Sequence, residues 1–372
     1  MVTSFQSKFN LSNPDMLKTT LYILLGTLVL AGISLLSMSF LIKADANTVL
    51  DHLADNKENS AIKLMRNGES FVEMNTNKMM PLASTVKIII AIEYAEQAAA
   101  GIIDPNELIA VAELDKYFIP NTDGGAHPAW LRTIGRDEVS IQKIVQGMIL
   151  YSSNANTEWL SNKLGLIQIN NRLDSLGMKD HSPIYNLVSS LFVGKELFPD
   201  LKGKVLVEAL RNTSDQEYIS ATEKIHNKLE GDPIYKEDIG DRNIDVQRVW
   251  SDRMVASTVS NYAELMRKIN SRTYFNQEVH SYLNPCLEGL MQNPSNQAWL
   301  KHAGKKGGST AFVLTEALYA TDKKGNTTEI AYFMNDLNII QNTKLKRGMN
   351  DFVLKILTKK DFLDEVVKRL GE

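Results

Sequence analysis

The stretch that decides the fold is Pro81-Leu82-Ala83-Ser84-Thr85-Val86-Lys87, which runs directly into Ile88-Ile89-Ile90-Ala91-Ile92. Three residues are just under one helical turn, so a serine that opens a helix and a lysine at i+3 lie on one face and can form a hydrogen bond. A serine hydroxyl is a weak nucleophile until an adjacent base accepts its proton. A lysine can be that base when burial or a second cation lowers its pKa. Ser84 and Lys87 therefore predict an activated serine.

The same Ser-x-x-Lys spacing occurs twice more, at Ser60 to Lys63 and at Ser140 to Lys143. Ser60 opens a period-2 stretch typical of a strand, where residues three apart point to opposite faces. Ser140 precedes an amphipathic pattern and is predicted to be a helix N-cap, with Lys143 in solvent. The choice of Ser84 as the nucleophile therefore depends on partners elsewhere in the chain.

Two polar motifs follow Ser84 in a definite order. They are Tyr151-Ser152-Ser153-Asn154 and Lys305-Lys306-Gly307-Gly308-Ser309-Thr310. With the first motif, they resemble the signature of the serine penicillin-recognising family, which comprises the class A β-lactamases and the penicillin-binding D,D-peptidases. That signature is S-x-x-K, then S-D-N or S-x-N, then K-T-G. The resemblance extends from about Ala61 to the C-terminus, and three motifs in order are far more specific than one.

The resemblance implies catalytic roles for Ser84, Lys87 and Ser152. Ser84 would attack an activated carbonyl and form an acyl-enzyme, and Lys87 would take or relay its proton. Ser152 would pass a proton to the leaving nitrogen, while Asn154 would hold Lys87 and the substrate amide.

The third motif is implied to bind the substrate. Lys306 would offer a positive charge to a substrate carboxylate and disfavour protonation of Lys87. Gly307 and Gly308 would let a substrate backbone lie alongside the strand. The backbone N–H groups of Ser84 and Ser309 would form the oxyanion hole.

Strand signals at both ends of the chain surround a long helical region. Residues 61–65 and 70–74 flank Asn67-Gly68, which is typical of a type I′ hairpin. Residues 311–321 and 328–335 are also predicted strands, followed by a closing helix over 344–370. Helices are predicted between these strands, including 139–150, 156–163, 167–176 and 259–269. The expected fold class is α/β, of the α+β type, with an antiparallel sheet flanked by helices, an all-helical subdomain and a cleft between them. The resemblance implies the same β-lactamase/transpeptidase-like arrangement.

Two features depart from the pattern of the class A enzymes. The middle residue of the second motif is Ser153, where those enzymes usually carry Asp, and this matches the looser pattern of penicillin-binding proteins. We find no clear Glu-x-x-Leu-Asn loop, which in those enzymes supplies the carboxylate that activates water to hydrolyse the acyl-enzyme. Glu196 is the candidate deacylation base, and the alternative is that it is an ordinary surface acid. The charged segment 195–248 is predicted to be a solvated helical insertion, either a lid or a surface.

A turn-rich loop, residues 122–130, precedes the second motif. Its His127 and Trp130 are predicted to be a loop residue and a packing anchor, with contacts to a substrate as the alternative. The histidines show no metal-ligand spacing, so we expect no metal and no cofactor. The single cysteine, Cys286, is predicted to be a buried apolar residue.

The N-terminus predicts the compartment. The chain has 372 residues, 44% hydrophobic residues and a formal net charge of −3, which argues against a nucleic-acid partner. Residues 19–42 carry no charged side chain and are long enough to span a bilayer. We expect a cytoplasmic tail over 1–18, a transmembrane signal anchor over 19–42, a linker or short helix over 43–59, and an extracytoplasmic catalytic domain over 60–372. Cleavage near Ala46, giving a secreted protein, is the alternative.

The expected function is a membrane-anchored class A β-lactamase-like serine hydrolase that opens β-lactam amide bonds through an acyl-serine. Two alternatives stay open. One is a D,D-peptidase-like or esterase-like hydrolase acting on cell-wall peptides or other acyl substrates, and the other is a penicillin-binding or sensor module that does not hydrolyse its ligand. The expected partner is therefore a small β-lactam or a cell-wall peptide, and the sequence does not predict the oligomeric state.

Overall fold

The computed structural model describes residues 44–135 and 137–371. Its strands are, in chain order, β1 Ser60–Arg66, β2 Glu69–Met74, β3 Met80–Pro81, β4 Leu108–Ala110, β5 Glu138–Ser140, β6 Ala256–Ser257, β7 Leu300–Ser309, β8 Leu314–Asp322 and β9 Thr327–Met334. Five of them form an antiparallel sheet with the order β2-β1-β9-β8-β7, while β3 pairs with β6 and β4 pairs with β5. The early and late strands of the chain therefore share one sheet, which confirms the predicted long-range pairing.

The predicted hairpin opens this sheet. Asn67 and Gly68 both have positive φ angles, 50° and 83°, as a type I′ turn requires. The turn pairs Arg66 with Glu69 and so sets the β1–β2 register. On its other side β1 pairs with β9, where Leu64 lies opposite Ile330. A core packs on each face of the sheet, so the side chains of β1 are mostly buried on both faces.

Helices cover both faces of the sheet and form the region between its early and late strands. They are, in chain order, α1 Ala46–Asp55, α2 Lys87–Ala99, α3 Val111–Asp115, α4 Ala126–Ile134, α5 Ile141–Gln146, α6 Asn154–Leu164, α7 Leu166–Ser175, α8 Val193–Leu197, α9 Gly203–Asn212, α10 Asp215–Gly231, α11 Ile244–Asp252, α12 Val259–Asn270, α13 Gln277–Leu287, α14 Pro294–Gln297, α15 Ile339–Thr358 and α16 Lys360–Leu370. Single 3₁₀ or π turns lie at Lys57–Asn59, Ala83–Val86, Gly147–Tyr151, Ser189–Phe192, Tyr235–Glu237 and Gly289–Gln292.

Two hydrophobic cores result from this arrangement. One lies between the sheet and the helical region and is centred on α2, whose apolar run is buried on nearly every side. The other lies between the opposite face of the sheet and the helices α1, α15 and α16. The helix α2 therefore holds its first residue, Lys87, at the boundary between the sheet and the helical region.

The closing helix predicted over 344–370 is two helices. α15 begins earlier, after an Asn338 capping box, and the chain turns at Lys359, which has an extended conformation (φ −121°, ψ 105°). No Gly or Pro marks this break in the sequence. Its physical reason is the packing of α16 on β2 and α1.

The segment predicted as a linker or short helix over 43–59 is a packed part of the body. Its helix α1 begins with an Asp45 capping box and buries Val49, Leu50 and Leu53 completely. The Ala46 backbone N–H donates to Asp351 Oδ2 on α15 at 2.9 Å. Because its apolar face is fully covered, α1 belongs to the second core and not to a free connection.

The charged segment 195–248 is helical, as predicted. It forms the end of α8, then α9 and α10, and the start of α11, and it buries Leu206, Leu210 and Ile225. One face of the insertion is thus packed against the helical region, and its end reaches the cleft described below.

The predicted tail over 1–18 and the predicted anchor over 19–42 lie outside the described residues. Across 44–135 and 137–371, we find no helix that combines the length and the apolar character needed to cross a membrane.

Candidate active site

Ser84 lies in a strained turn at the edge of the cleft. It belongs to the 3₁₀ turn Ala83–Val86, which leads directly into α2. The preceding Ala83 has a left-handed backbone, with φ 45°, and is not glycine. Such a conformation costs about 1–3 kcal/mol and is found where the surrounding structure fixes it. The turn holds Ser84 partly exposed on the cleft wall.

Lys87, one helical turn further on, is buried and faces the second motif. Its Nζ donates to the carbonyl oxygen of Ser152 at 2.8 Å and to Asn154 Oδ1 at 2.8 Å, and it lies 3.4 Å from Ser152 Oγ. The predicted hydrogen bond between the side chains of Ser84 and Lys87 is not present among the described contacts. Burial, reinforced by the positive charge of Lys306, holds the pKa of Lys87 well below its usual value. The structure thus places a lysine suited to accept a proton on the wall of the cleft that the predicted nucleophile also lines.

Ser152 lies between two lysines. The π turn Gly147–Tyr151 ends at Ser152, whose left-handed backbone (φ 71°) aims its side chain into the cleft. Lys306 Nζ, from the sheet wall, donates to Ser152 Oγ at 3.1 Å. The hydroxyl of Ser152 therefore bridges the helical wall and the sheet wall of the cleft.

The sheet wall carries an excess of positive charge. Lys305 donates to Glu316 at 3.2 Å and to Asn350 at 2.8 Å, and Lys346 of α15 donates to Ser309 Oγ at 3.1 Å. Burial, together with the charges of Lys305 and Lys346, lowers the pKa of Lys306 to about 7, and the carboxylate of Glu316 opposes this shift. Three lysines face one carboxylate, so this wall favours an anionic group.

Gly308 allows the sheet to touch the nucleophile turn. A Cβ at Gly308 would lie 2.5 Å from the backbone nitrogen of Ser84 and 2.6 Å from the carbonyl oxygen of Leu82. We predicted that the glycine would make room for a substrate. The structure gives a further reason, because the turn itself fills that space. Thr315 of β8 secures the same contact by donating to the Leu82 carbonyl at 2.8 Å.

The cleft has a volume of about 850 Å³, and apolar side chains line it as well as the lysines. Leu187 and Leu191 form one part of this apolar lining, while Trp250 and Met254 form the part where the insertion returns to the body. Trp250 Nε1 donates to the hydroxyl of Ser190 at 2.8 Å and so joins the two parts. The cleft can accordingly hold a molecule with an anionic end and an apolar end.

The structure places Glu196 away from the cleft. Its carboxylate accepts hydrogen bonds from Lys228 at 2.7 Å and from Tyr235 at 2.8 Å, and it does not line the cleft. Burial acts to raise the pKa of Glu196, but the hydrogen bonds from Lys228 and Tyr235 outweigh it and lower the pKa. The structure therefore gives this carboxylate its partners within the insertion and not on the cleft wall, and its role as a deacylation base stays a prediction.

Two other carboxylates line the described part of the cleft, and both are engaged. Asp123 accepts the backbone N–H groups of Gly125 at 3.0 Å and His127 at 2.8 Å, where α4 begins. Glu316 is paired with Lys305. The cleft-lining stretch 187–191 contains no Asp or Glu.

His127 and Trp130 lie on α4 and are both buried. Trp130 is a packing anchor, as predicted, with its ring 5.5 Å from that of His127. The prediction that His127 is a loop residue is wrong, since the helix begins one residue earlier. Its ring is fully buried and lies between Ser153 and Asp115.

The serines of the two rejected motifs lie elsewhere. Ser60 is buried in β1, and Ser140 precedes α5 at the predicted cap position, although its side chain makes no capping hydrogen bond. Within 44–135 and 137–371, no group of three His, Cys, Asp or Glu side chains is arranged to hold a metal ion.

Sequence reasoning missed three residues of the site, which are Thr315, Lys346 and Trp250. Thr315 and Lys346 lie more than 200 residues after Ser84, on β8 and α15. Strand alternation places Thr315 on the face of β8 that also buries Ala317, and this signal was available. For Lys346 and Trp250 the sequence offers no such signal, because ordinary surface helices carry the same residues.

Comparison with known proteins gives one family and a set of similar folds. A family model described as the beta-lactamase enzyme family matches residues 42–294, so the match ends before the third motif. No curated protein matches the chain.

Solved structures share the fold at low sequence identity. A class A beta-lactamase from Bacteroides cellulosilyticus is 14% identical, with a TM-score of 0.50, covering 88% of this chain and 98% of its own. A beta-lactamase from Burkholderia vietnamiensis is 10% identical, with a TM-score of 0.53, covering 86% and 98%. One from Sphaerobacter thermophilus is 17% identical, with a TM-score of 0.51, covering 82% and 96%.

Proposed function

The chain belongs to the beta-lactamase enzyme family, and on this premise we propose that it opens β-lactam amide bonds through an acyl-enzyme formed on Ser84. The observation that carries the proposal is the buried Lys87, which has a lowered pKa and contacts both Ser152 and Asn154. A buried lysine without a carboxylate partner is costly to a fold. Its retention beside a strained serine turn fits the activation of that serine.

Acylation begins with Ser84. Its Oγ forms a bond to the carbonyl carbon, and the proton of the hydroxyl passes to the neutral form of Lys87. The negative charge that develops on the carbonyl oxygen is stabilised by the backbone N–H groups of Ser84 and Ser309. Such a donor is typically worth about 2.7–4 kcal/mol of transition-state stabilisation.

The C–N bond then breaks, and the leaving nitrogen takes a proton through Ser152. Ser152 Oγ lies 3.4 Å from Lys87 Nζ and 3.1 Å from Lys306 Nζ, so its hydroxyl can hand over its own proton and be reprotonated by a lysine. Lys306, with Lys305 and Lys346, attracts the carboxylate of the substrate. Asn154 keeps Lys87 in place through its Oδ1.

A second candidate function, a hydrolase of cell-wall peptides, is favoured by one observation. Both carboxylates described in the cleft wall, Asp123 and Glu316, already accept hydrogen bonds, and the stretch 187–191 carries none. Water therefore has no evident carboxylate base at the acyl carbon, which favours slow release from a β-lactam. The leaving amine of a peptide departs after acylation and makes space for water beside the ester. The leaving nitrogen of a β-lactam stays attached to the acyl group and occupies that space.

A time course with a chromogenic cephalosporin tests the proposal. We expect a burst of colour equal to one enzyme equivalent, followed by steady turnover with deacylation as the slow step. A burst with no later turnover would instead support the peptide hydrolase or a penicillin-binding module. If the cephalosporin gives neither a burst nor turnover but the chain cleaves D-Ala-D-Ala peptides, only the second candidate remains.

We propose separately that residues 19–42 anchor the enzyme in the cell membrane with the catalytic domain outside. The support is the length and apolar character of this segment. Membrane fractionation and protease treatment of intact cells test it. A chain found in the membrane fraction and digested from outside supports the proposal, and a chain found in the cytosol contradicts it.

A further inference from the structure

A buried chain of hydrogen bonds lies directly behind the second motif. His127 Nδ1 is 2.8 Å from Ser153 Oγ, and His127 Nε2 is 3.3 Å from Asp115 Oδ1. Both His127 and Ser153 are completely buried, and Asp115 at the outer end is partly exposed. The chain links the surface of α3 to the residue that follows Ser152.

One tautomer of the histidine gives every group of this chain a hydrogen-bond partner. Ser153 Oγ accepts the backbone N–H of Asn156 at 3.2 Å, so its own hydroxyl hydrogen needs an acceptor. With His127 Nδ1 as that acceptor, the proton of the neutral ring lies on Nε2. That proton in turn faces Asp115. The polar groups of Ser153, His127 and Asp115 are all satisfied in this arrangement, in which each donates to the next.

The order of the residues looks like that of a second nucleophile with its own base, but Ser153 cannot act as one. Its side chain is fully buried and does not line the cleft. Its backbone is what faces the site, because the carbonyl oxygen of Ser153 lies 3.4 Å from Lys87 Nζ. The adjacent Ser152 holds both lysines.

We propose that His127 is a positioning residue of the reaction, which holds Ser153 and thereby sets the geometry of Ser152 and Lys87. Ser152 has a left-handed backbone that an isolated serine disfavours, so the turn needs support from behind. Ser153 provides it by capping α6 on one side and bonding His127 on the other. This inference rests on the proposed function, since it concerns acylation at Ser84.

The ring of His127 is itself held from several sides. Phe118 lies 5.1 Å from it and Trp130 lies 5.5 Å from it, ring centre to ring centre. The backbone N–H of His127 donates to Asp123 at 2.8 Å. This packing holds the ring with its Nδ1 towards Ser153.

The test is single-turnover acylation of the full-length chain, purified in detergent, by a fluorescent penicillin over a range of concentrations. This experiment separates the limiting acylation rate from the half-saturating concentration. A displacement of reacting groups by about 1 Å can cost about 100-fold in rate. For His127→Leu we therefore expect the limiting rate to fall by about 100-fold, with the half-saturating concentration changed by less than about threefold, because the lysine wall is untouched.

His127→Asn is the conservative variant. Its Oδ1 can take the place of Nδ1 and accept from the hydroxyl of Ser153, although it does not reach Asp115. We expect the limiting acylation rate of His127→Asn to be about tenfold or more above that of His127→Leu. The matched control is His181→Asn, which changes another histidine that lies outside the cleft lining and bonds Tyr262 and Ser182. It should acylate at the wild-type rate.

The outcomes separate the inference from the function. If the wild-type chain is labelled and both His127 variants are labelled at nearly its rate, the positioning role is wrong and the proposed function stands. If His127→Asn is folded by circular dichroism and thermal melting but is as slow as His127→Leu, the ring serves packing alone and the inference is overturned. If the wild-type chain is not labelled at all, the proposed function fails and the inference fails with it.

Discussion

At the scale of single residues, the site depends on two buried lysines with opposite requirements. In the proposed reaction, Lys87 must lose its proton to act as a base, whereas Lys306 must keep its proton to attract a carboxylate. Burial lowers the pKa of both, that of Lys306 to about 7. Burial therefore disfavours the protonated form of Lys306 that attracts a carboxylate. The pKa values of the two lysines limit the pH range in which the enzyme can be acylated.

We predict a bell-shaped pH dependence for the acylation constant. The constant should rise with pH as Lys87 becomes neutral, and it should fall above about pH 7 as Lys306 loses its charge. Stopped-flow acylation across pH 5 to 9 measures both limbs. A penicillin methyl ester, which has no carboxylate, should lack the alkaline limb, and an identical alkaline limb for the ester would contradict the role of Lys306.

A second residue-scale prediction concerns Gly308. Gly308→Ala places a Cβ 2.5 Å from the Ser84 backbone nitrogen, so either the strand or the nucleophile turn must move. Overpacking of this kind typically costs about 1–3 kcal/mol of unfolding free energy. We expect the loss in acylation rate, expressed as an activation free energy, to exceed that loss in unfolding free energy. The control is Gly231→Ala at the end of α10, where nothing lies within 4 Å of the added Cβ. Unchanged acylation by folded Gly308→Ala would contradict the close contact.

At the scale of elements, one buried carboxylate joins the helical region to the cleft stretch 187–191. Glu158 of α6 is fully buried and accepts the backbone N–H of Val188 at 2.8 Å. It also lies 3.2 Å from His226 Nδ1 on α10, which belongs to the insertion. The insertion and the cleft wall are therefore held by the same side chain.

We predict that Glu158→Ala destabilises the chain by roughly 3 kcal/mol, because it leaves the buried donors Val188 N–H and Ser189 O–H without an acceptor. Chemical unfolding gives the magnitude, and hydrogen exchange should show faster opening of residues 187–191. The matched control is Glu196→Ala, which removes a partly exposed ion pair with Lys228 and a hydrogen bond from Tyr235 and should cost about 1 kcal/mol. Equal losses in the two variants would disprove the account of Glu158. A deacylation rate that falls only in Glu196→Ala would support Glu196 as the base.

At the scale of the whole molecule, the first helix closes the second core. α1 packs on α15, and a Cβ on Gly348 would lie 2.5 Å from the carbonyl oxygen of Asp45, which shows how closely the two ends of the domain meet. A chain that begins at Asp45 should fold and be acylated. A chain that begins at Asn56 loses the buried Val49, Leu50 and Leu53, at about 1.5–3 kcal/mol each. That loss is comparable with the whole stability of a domain.

Thermal melting and labelling of the two truncated chains measure this prediction. The shorter chain should melt at a much lower temperature or fail to fold. If instead it melts within a few degrees of the longer one, α1 is a dispensable extension, as the predicted linker would be.

The sequence predicts the parts of this molecule that local pattern determines. The Asn67-Gly68 hairpin, the late strands and the three motifs around Ser84, Ser152 and Lys306 are where the residues indicate. Residue spacing and turn chemistry act over a few residues, so these features can be predicted without knowledge of the fold. The break at Lys359 has no such signal because it depends on packing.

The rest depends on contacts between distant residues. Thr315 reaches Leu82 across 233 positions, and Trp250 reaches Ser190 across 60, and no periodicity encodes either contact. Glu196 was chosen by its place in the sequence, and the helices of the insertion carry it out of the cleft. The role of His127 could not be predicted from the sequence for the same reason. Its partners Asp115 and Ser153 come together only when α4 packs on α6.

The central claim is that Ser84 becomes covalently acylated, and intact-protein mass spectrometry after incubation with benzylpenicillin tests it most directly. The account predicts a mass increase equal to one whole penicillin, located by peptide mapping on Ser84, lost in Ser84→Ala, and retained in Ser60→Ala and Ser140→Ala. An adduct that persists in a folded Ser84→Ala chain, or that maps to another serine, would contradict it.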